Sequence, residues 1–184
     1  MKEYNQKRDF EKTDEPPGVI QDNSGQNLRF VVQHHMARRE HYDFRLEHKG
    51  MLLSWAVPKG PSYNPQDKRL AIQVEDHPFG YKDFEGTIPK GQYGGGTVML
   101  WDEGFWLAES DAGKAISRGE LKFALLGKRL MGRWTLIKLK ESELNNWLLI
   151  KEKDEYAKDI SGIMEFTTSI RTGRTMSEIG GEIE

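Results

Sequence analysis

The residues best suited to chemistry lie in one stretch, 33–49, which reads QHHMARREHYDFRLEHK and holds four of the chain's five histidines. In its second half, ionisable side chains alternate with apolar ones. Because a β-strand directs alternate side chains to opposite faces, a strand here would place His41, Asp43 and Arg45 in a row on one face. The imidazole and the carboxylate could hold a divalent metal, and the guanidinium could hold a phosphate.

Two further histidines strengthen the case for a metal site, since His41 and Asp43 alone form a hydrogen-bonded pair more often than a metal centre. His35 ends the preceding strand-like run, and a turn over residues 36–40 would return the chain beside it. His77 follows the strand-like run RLAIQV. Three imidazoles and a carboxylate, in a chain without cysteine, suit manganese, iron, cobalt, nickel or zinc better than calcium or magnesium.

A second group of residues could bind an anion. Arg45 is placed to bind two phosphate oxygens at once, although a structural ion pair with neighbouring carboxylates would also explain it. Lys59 and Arg69 could add positive charge, and the hydroxyl of Tyr81 could donate to a phosphate. Each of these three is also an ordinary surface or packing residue type.

The glycine-rich segment 91–96, GQYGGG, does not match a phosphate-binding loop of the GxxxxGK[ST] type. It predicts a flexible or tightly turning loop. Because glycine permits a close backbone approach, the loop could also line a substrate groove.

Composition bounds the possible functions. The chain has 184 residues, a net charge of −2 and no cysteine, so disulfides and thiolate metal sites are excluded and no overall positive field favours nucleic acid. The charged start lacks the apolar core of a signal peptide, and no run of about 18 apolar residues occurs. These features predict a soluble, cytoplasmic protein with one domain and no membrane association.

Nine short segments have the apolar alternation or β-branched and aromatic content of strands. They are Leu28–Gln33, His41–His48, Met51–Val57, Arg69–Val74, Thr97–Trp101, Phe105–Ala108, Glu120–Leu125, Met131–Leu139 and Trp147–Lys151. A turn at Asp102-Glu103-Gly104 separates the fifth from the sixth. Only Asp111–Arg118 and the last residues favour helix. This pattern predicts a mainly β protein, a compact closed or nearly closed β-barrel with a few short helices. The site would then lie at the barrel mouth, where strand ends meet.

Three regions follow from this pattern. Residues 1–27 form a polar N-terminal arm outside the core, residues 28–160 form the barrel, and residues 161–184 form a C-terminal tail. The tail reads as an extended segment followed by an N-capped turn of helix, peripheral to the chemistry.

The chain resembles the 3′-phosphoesterase domain of bacterial ligase D, an enzyme of nonhomologous end joining that also has free-standing archaeal and bacterial relatives. The resemblance lies in HHMARREHYDFRLEHKGMLLSWAVPKGPS and RLAIQVEDHPFGYKDFEGTIPKGQYGGGTVMLWDEGFW. It extends to the early RDF, Thr13 and EP, and to the late Trp134 and WLLIK.

The resemblance implies a β-barrel whose mouth holds a Mn²⁺-dependent site, with cobalt, zinc or another divalent transition metal as alternatives. The metal ligands of the family correspond to His35, His41 and Asp43. Its phosphate-contacting, catalytic residues correspond to Arg45, His77 and Tyr81. Its supporting, substrate-binding positions fall on Gln33, Lys59, Arg69, Glu75, Arg8, Asp9 and Glu15.

The implied reaction trims nucleic acid 3′ ends in two steps. A diesterase step removes a terminal ribonucleoside and leaves a 3′-phosphate, and a monoesterase step then leaves a 3′-OH. His77 would stabilise charge on the phosphoryl group or protonate the leaving oxygen, and the nucleophile is water or a ribose 2′-OH. The 184 residues leave no room for polymerase and ligase domains, and whether a separate ligase or polymerase is the partner is left open.

Two other functions fit parts of the sequence. A non-haem iron oxygenase could use a triad of His41, Asp43 and His77. A non-catalytic β-barrel that binds nucleic acid ends could stack bases on Trp101, Trp106 and Trp134.

Overall fold

The nine strands pair throughout in antiparallel fashion, and eight of them close into a barrel. A computed structural model of the chain describes residues 1–21, 27–141 and 144–181. Parts of the expected arm (residues 22–26) and of the expected tail (residues 182–184) lie outside the described residues. The fold confirms the prediction of a mainly β protein with a closed barrel.

The described elements are three short α-helices, nine strands and two 3₁₀ turns. In chain order they are α1 (Lys2–Gln6), β1 (Arg29–Ala37), β2 (His41–His48), β3 (Met51–Val57), β4 (Arg69–Pro78), the first 3₁₀ turn (Phe79–Asp83), β5 (Gly86–Ile88), β6 (Gly96–Ala108), α2 (Ala112–Arg118), β7 (Glu120–Gly127), β8 (Met131–Lys138), β9 (Asn146–Lys151), the second 3₁₀ turn (Ile163–Glu165) and α3 (Met176–Gly180). Within these residues, no helix is long and apolar enough to cross a membrane.

The barrel runs in the order β1-β2-β3-β4-β9-β8-β7-β6, and β6 closes it by pairing with β1. The short β5 pairs with the start of β6, beside the barrel. Closure pairs the strand edges that an open sheet of this size would leave exposed.

The barrel interior is filled by side chains from all eight strands. On β2, Tyr42, Phe44 and Leu46 point into this core. Because side chains alternate along a strand, Asp43 and Arg45 face outward. The predicted position of the site at the barrel mouth is therefore wrong, and the site lies on the outer wall of the barrel.

A second, smaller apolar cluster covers part of that outer wall. It joins Val31, Leu52 and Leu100 of the barrel to Tyr81 of the first 3₁₀ turn and to Tyr4 of α1. Tyr4 is fully buried, and its hydroxyl donates to the carbonyl of Pro16. The arm was expected to stay outside the core, but it contributes this side chain. The contribution was not predicted because an isolated tyrosine among polar residues gives no sequence pattern.

The segment around residue 102 departs from the prediction, since β6 is one continuous strand where two strands and a turn were expected. The Asp102 carboxylate is buried and accepts backbone N–H groups from Lys128, Arg129 and Leu130. Asp102 therefore caps a neighbouring turn instead of making one. Gly104 is needed for a different reason, because a Cβ there would lie 2.0 Å from the Leu126 carbonyl oxygen of β7.

Both predicted helical segments form. Asp111 caps α2 by accepting the N–H of Lys114. In the tail, Thr175 and Glu178 form a reciprocal capping box at the start of α3, as the sequence predicts.

Candidate active site

A cavity of about 340 Å³ opens on the outer wall of β1–β4. The arm, the first 3₁₀ turn and the loop between β5 and β6 form its other walls. The polar side chains that line it are those of Arg8, Glu15, His35, His41, Asp43, Arg45, Glu75, His77, Tyr81 and Tyr93.

The three residues predicted to bind a metal lie together in this cavity. His35 and His41 face each other across the β1–β2 pair, and Asp43 lies two residues further along β2. One potential ligand atom from each of the three lies within 4.8 Å of the others. The Asp43 Oδ2 atom is 3.7 Å from His35 Nδ1 and 3.4 Å from His41 Nε2. The structure thus brings the set together, and its binding of a metal stays a prediction.

The donor atoms fit a divalent transition metal. His41 Nδ1 lies 2.8 Å from the carbonyl of Arg39, which can only accept, so Nδ1 carries the hydrogen and Nε2 faces Asp43 with a lone pair. Two acceptors at 3.4 Å need a positive group between them, either a proton or a cation. The buried Nε2 of His35 has no hydrogen-bond partner in the described chain. Two imidazoles and a carboxylate suit manganese, iron, cobalt or zinc.

The charges of this set are fixed by its surroundings. Burial alone would raise the pKa of Asp43, but Arg45 and the two histidines outweigh burial and hold it well below its usual value. Burial lowers the pKa of His41, and the hydrogen bond and charge of Asp43 more than compensate, so the net shift is upward. Asp43 is therefore anionic at neutral pH, and a bound metal would compete with a proton for His41.

Arg45 joins the proposed metal set to the proposed phosphate site. Its Nη2 lies 3.3 Å from Asp43 Oδ2, while its Nε donates to Gln33 and its Nη1 donates to Ser54, at 2.7 and 2.9 Å. The strand register shifts next to both of these partners. β-Bulges redirect side chains and are frequent beside active sites. Here they accompany two polar side chains that fix the guanidinium.

His77 is held in one tautomer. Its Nδ1 donates to the carbonyl of Glu75 at 3.0 Å, and its Nε2 accepts from Arg8 at 3.3 Å. Burial, followed by the charges of Arg45 and Arg8, holds the pKa of His77 well below its usual value. His77 is therefore neutral in the free protein, with a lone pair on the nitrogen that faces the arm.

The arm brings a second guanidinium to the cavity. Arg8 pairs with Glu15 at 2.9 Å and with Glu75 at 3.4 Å, and it stacks 3.7 Å from the ring centroid of Tyr4. Its side chain is 4% exposed. Arg8, Glu15 and Glu75 thus line one cavity, and their substrate-binding roles stay predictions.

The last two predicted residues that the structure connects to this site are Gln33 and Tyr81. The Gln33 amide lies behind Arg45 and donates to the carbonyls of Tyr81 and Phe84 at 2.9 and 3.0 Å. The Tyr81 ring lies 4.9 Å from the Arg45 guanidinium and 4.7 Å from the His77 ring. Burial and the charge of Glu15 raise the pKa of Tyr81 well above its usual value, so its hydroxyl keeps its proton.

Besides Gln33, which lies behind Arg45, three predicted residues do not line the cavity. The side chain of Asp9 is 42% exposed and pairs with Lys12 at 2.8 Å. Lys59 is exposed on the loop after β3. Arg69, at the start of β4, lies 3.7 Å from Asp67. Their substrate-binding roles stay predictions without a contact that supports them.

The structure also adds residues that sequence reasoning missed. Ser54 holds Arg45, and the only signal for it was one polar residue within the apolar run MLLSWAV. Tyr93 and Gly94 line the cavity, which confirms the suggestion that the glycine-rich loop lines a groove.

The two alternative functions lose support. Trp101, Trp106 and Trp134 are at most 3% exposed, so they are core residues and cannot stack on bases. The oxygenase triad would need His77 as a ligand. In the described part of the chain, the only group able to hold a metal contains His35 instead.

Comparison with known proteins gives consistent matches. Residues 33–138 match the family described as the DNA Ligase D 3′-phosphoesterase domain. The chain is 47% identical over 188 residues to the multifunctional non-homologous end joining protein LigD of Pseudomonas aeruginosa, an alignment that covers 99% of this chain and 22% of that protein.

Two mycobacterial relatives also match. The protein of the same name from Mycolicibacterium smegmatis is 42% identical over 158 residues, and the multifunctional non-homologous end joining DNA repair protein LigD of Mycobacterium tuberculosis is 43% identical over 152 residues. Each of these alignments covers 83% of this chain and 20% of the relative. The chain thus spans about a fifth of the length of the curated relatives it matches.

Proposed function

This chain belongs to the DNA ligase D 3′-phosphoesterase domain family, and we propose that it is a metal-dependent phosphoesterase that repairs nucleic acid 3′ ends. One observation carries the proposal. The cluster of His35, His41 and Asp43 and the buried guanidinium of Arg45 face one cavity, 3.3 Å apart at their closest atoms. A metal set beside a fixed guanidinium is the arrangement that phosphoryl transfer needs.

The substrate we propose is a primer strand that ends in a ribonucleotide or a 3′-phosphate. In the first step, water is consumed and the bond between phosphorus and the 5′-oxygen of the terminal ribonucleoside breaks. The products are a free ribonucleoside and a 3′-phosphate end. In the second step, water is consumed again and the phosphate leaves, which yields a 3′-OH fit for ligation.

A divalent cation is part of the proposal because the cavity alone would repel a phosphate. Three carboxylates, those of Glu15, Asp43 and Glu75, face the two guanidinium groups. A cation held by His35, His41 and Asp43 would reverse this balance, and manganese is the first candidate. When bound, it would polarise a phosphate oxygen.

The remaining roles follow from charge and protonation. Arg45 is fixed by three partners, so it can stabilise charge that grows on the phosphoryl oxygens without first reorganising. Neutral His77 would suit a base that accepts a proton from the attacking oxygen once Arg8 releases the lone pair on its Nε2. A charge-stabilising or proton-donating His77 would have to take up a proton together with the substrate. The protonated hydroxyl of Tyr81 can donate to a phosphate oxygen.

The cellular setting is also part of the proposal. The relatives carry the name of end-joining proteins and are about five times longer. We therefore propose DNA ends as the substrates and a ligase and a polymerase as partners. The cytoplasmic location predicted from the sequence is compatible with this role and stays a prediction.

A gel assay tests the reaction. One labelled primer-template would carry a single 3′ ribonucleotide and another a 3′-phosphate, each with Mn²⁺ or with EDTA. We expect conversion first to a 3′-phosphate and then to a 3′-OH with Mn²⁺ only. Asp43→Asn, a near-isosteric change, is the matched inactive control. Binding of both primers without turnover in Mn²⁺, Co²⁺ or Zn²⁺ would overturn the proposal and indicate an end-binding module.

A further inference from the structure

The rim of the cavity carries an aromatic side chain without an assigned role. Tyr93 lies on the loop between β5 and β6, lines the cavity, and is 47% exposed. We infer that the Tyr93 ring is the platform on which the terminal nucleoside of the substrate stacks. This inference rests on the proposed function, and it names the part of the substrate that the rim recognises.

Tyr93 is suited to stacking because its ring is accessible. The other tyrosine that lines the cavity, Tyr81, is 3% exposed. The tryptophans at positions 101, 106 and 134 are buried in the barrel interior. Base stacking needs an open aromatic face, and it is tolerant of base identity because every base has a π-face.

The loop has a defined backbone structure that holds Tyr93 in place. Two turns are closed by backbone hydrogen bonds, from Gln92 to Pro89 and from Gly95 to Gln92, both at 3.1 Å. Gly96 has a φ of 141°, and a Cβ there would lie 2.2 Å from the carbonyl oxygen of Met36 on β1. The loop is therefore anchored directly on the strand that carries His35.

Tyr93 lies beside residues proposed to bind the metal and the phosphate. The adjacent Gly94 packs against the proposed metal ligand His35, whose Cε1 would lie 3.7 Å from a Cβ at that position. The cationic groups of Lys7 and Arg8 lie 5.0 and 5.3 Å from the Tyr93 ring centroid. Arg8 also contacts His77 on the inner side of the cavity. On the proposed function, a nucleoside bonded to a phosphate inside the cavity would extend to Tyr93 at the rim.

The two proposed steps differ in what reaches the rim. In the diesterase step, a ribonucleoside is bonded to the reacting phosphate on its outer side. In the monoesterase step, no nucleoside is present on that side. Stacking on Tyr93 should therefore favour the first step over the second, with little dependence on the identity of the terminal base.

The test compares kcat/KM of both steps in Tyr93→Ala, Tyr93→Phe and wild-type protein. Loss of one stacked base typically weakens binding about ten-fold. We expect Tyr93→Ala to lower kcat/KM for ribonucleoside removal about ten-fold more than kcat/KM for phosphate removal. Tyr93→Phe keeps the ring and should keep the wild-type ratio. Tyr156→Ala, which removes a tyrosine that is 40% exposed and does not line the cavity, is the matched control.

An equal change in both steps, or none, in Tyr93→Ala would overturn the inference. If the wild-type protein turns over neither primer, the proposed function fails, and binding of the same labelled primers then decides the stacking. In that experiment, Tyr93→Ala must weaken binding of the ribonucleotide-ended primer about ten-fold more than binding of the phosphate-ended primer. Equal binding losses would refute the platform independently of turnover.

Discussion

The Nη2 atom of Arg45 lies 3.3 Å from Oδ2 of Asp43, and both side chains are more than nine-tenths buried. Asp43 belongs to the proposed metal set, whereas Arg45 is the proposed phosphate ligand. Because the two groups share one buried ion pair, a change at either of them also affects the charge balance of the other.

Asp43→Asn should abolish both steps and weaken metal binding. The change removes the anionic ligand and leaves the Arg45 guanidinium buried without its counter-ion. Changes around metal ligands cost roughly 10- to 100-fold in metal affinity, and loss of a ligand itself should cost at least that much. Titration of Mn²⁺ by calorimetry, together with the primer assay, measures both effects. Wild-type Mn²⁺ affinity in Asp43→Asn would remove Asp43 from the ligand set.

Arg45→Lys should separate catalysis from metal binding. A lysine keeps the positive charge beside Asp43 but cannot hold two phosphate oxygens and two protein acceptors at once. We expect kcat to fall by roughly 10²–10³-fold, as when one charge-stabilising donor is lost. Mn²⁺ affinity should change much less, and its parallel loss would assign Arg45 a structural role in the metal site.

His77 should make the stability of the metal-free protein depend on pH. Arg8, Arg45, Glu75, Tyr4 and Tyr81 surround it, and burial and the two arginines lower its pKa. Below the usual value of 6.5, the unfolded chain binds a proton that the folded protein excludes. The free energy of unfolding should therefore fall as pH decreases from 7 to 5, by up to about 1.4 kcal/mol per pH unit.

Urea unfolding in EDTA between pH 5 and pH 7 measures this contribution. His77→Gln removes the titrating group, so its stability should fall less steeply on acidification. His41→Gln provides a control of opposite sign, because the raised pKa of His41 stabilises the folded protein at low pH. Equal slopes in wild-type protein and His77→Gln would show that His77 is not held neutral.

The alternation in β2 was readable from the sequence because the strand has a clean period of two. Its bounds, His41–His48, and the shared face of Asp43 and Arg45 agree with the prediction. The alternation also predicts that Tyr42, Phe44 and Leu46 are the buried face, and these side chains point into the barrel. It does not show that Asp43, Arg45 and Glu47 on the other face are buried as well. The position of the site on the outer wall could not be predicted, because it depends on how the whole sheet closes.

The remaining differences between the predicted and the observed structure concern elements that are very short or that depend on tertiary contacts. The five residues of α1 and the three of β5 are too few for a periodic pattern. The Asp-Glu-Gly sequence at 102–104 has ordinary turn chemistry, but the β1, β6 and β7 pairings override it. The residues that position Arg45 come from neighbouring strands, so no local spacing connects Gln33 or Ser54 to it.

Asp102→Ala should destabilise the barrel more than most single changes. The buried carboxylate accepts three backbone N–H groups, at 2.7–3.0 Å, and the substitution takes away the acceptor of the Arg129 and Leu130 N–H groups, while that of Lys128 keeps the Glu103 carbonyl. A loss of about 2–4 kcal/mol in the free energy of unfolding is expected. Urea denaturation measures it, and Glu109→Gln, an exposed change just beyond the end of β6, should stay within about 0.5 kcal/mol of wild type. A similar small effect for Asp102→Ala would mean that the turn finds other acceptors.

The C-terminal tail was expected to be peripheral, but it holds the turn that carries Tyr81. Glu85, just beyond this turn, accepts hydrogen bonds from the hydroxyl of Thr172 at 2.6 Å, the guanidinium of Arg174 at 3.2 Å and the N–H of Leu100 at 2.8 Å. Arg171 lies 2.7 Å from Asp83, the last residue of the turn. The tail therefore contacts both ends of the short segment 83–85. This segment begins two residues after the catalytic candidate Tyr81.

Glu85→Ala should therefore lower kcat more than it lowers stability or metal affinity. The change frees the segment after Tyr81 without touching the cavity, so the hydroxyl would sample more positions around the phosphate. We expect a several-fold loss of kcat, because small displacements of positioned groups are costly to catalysis. Glu165→Gln, an exposed carboxylate of the tail, is the matched control. Primer turnover, Mn²⁺ titration and thermal unfolding together test this, and a loss of stability without a loss of kcat would assign the tail a purely structural role.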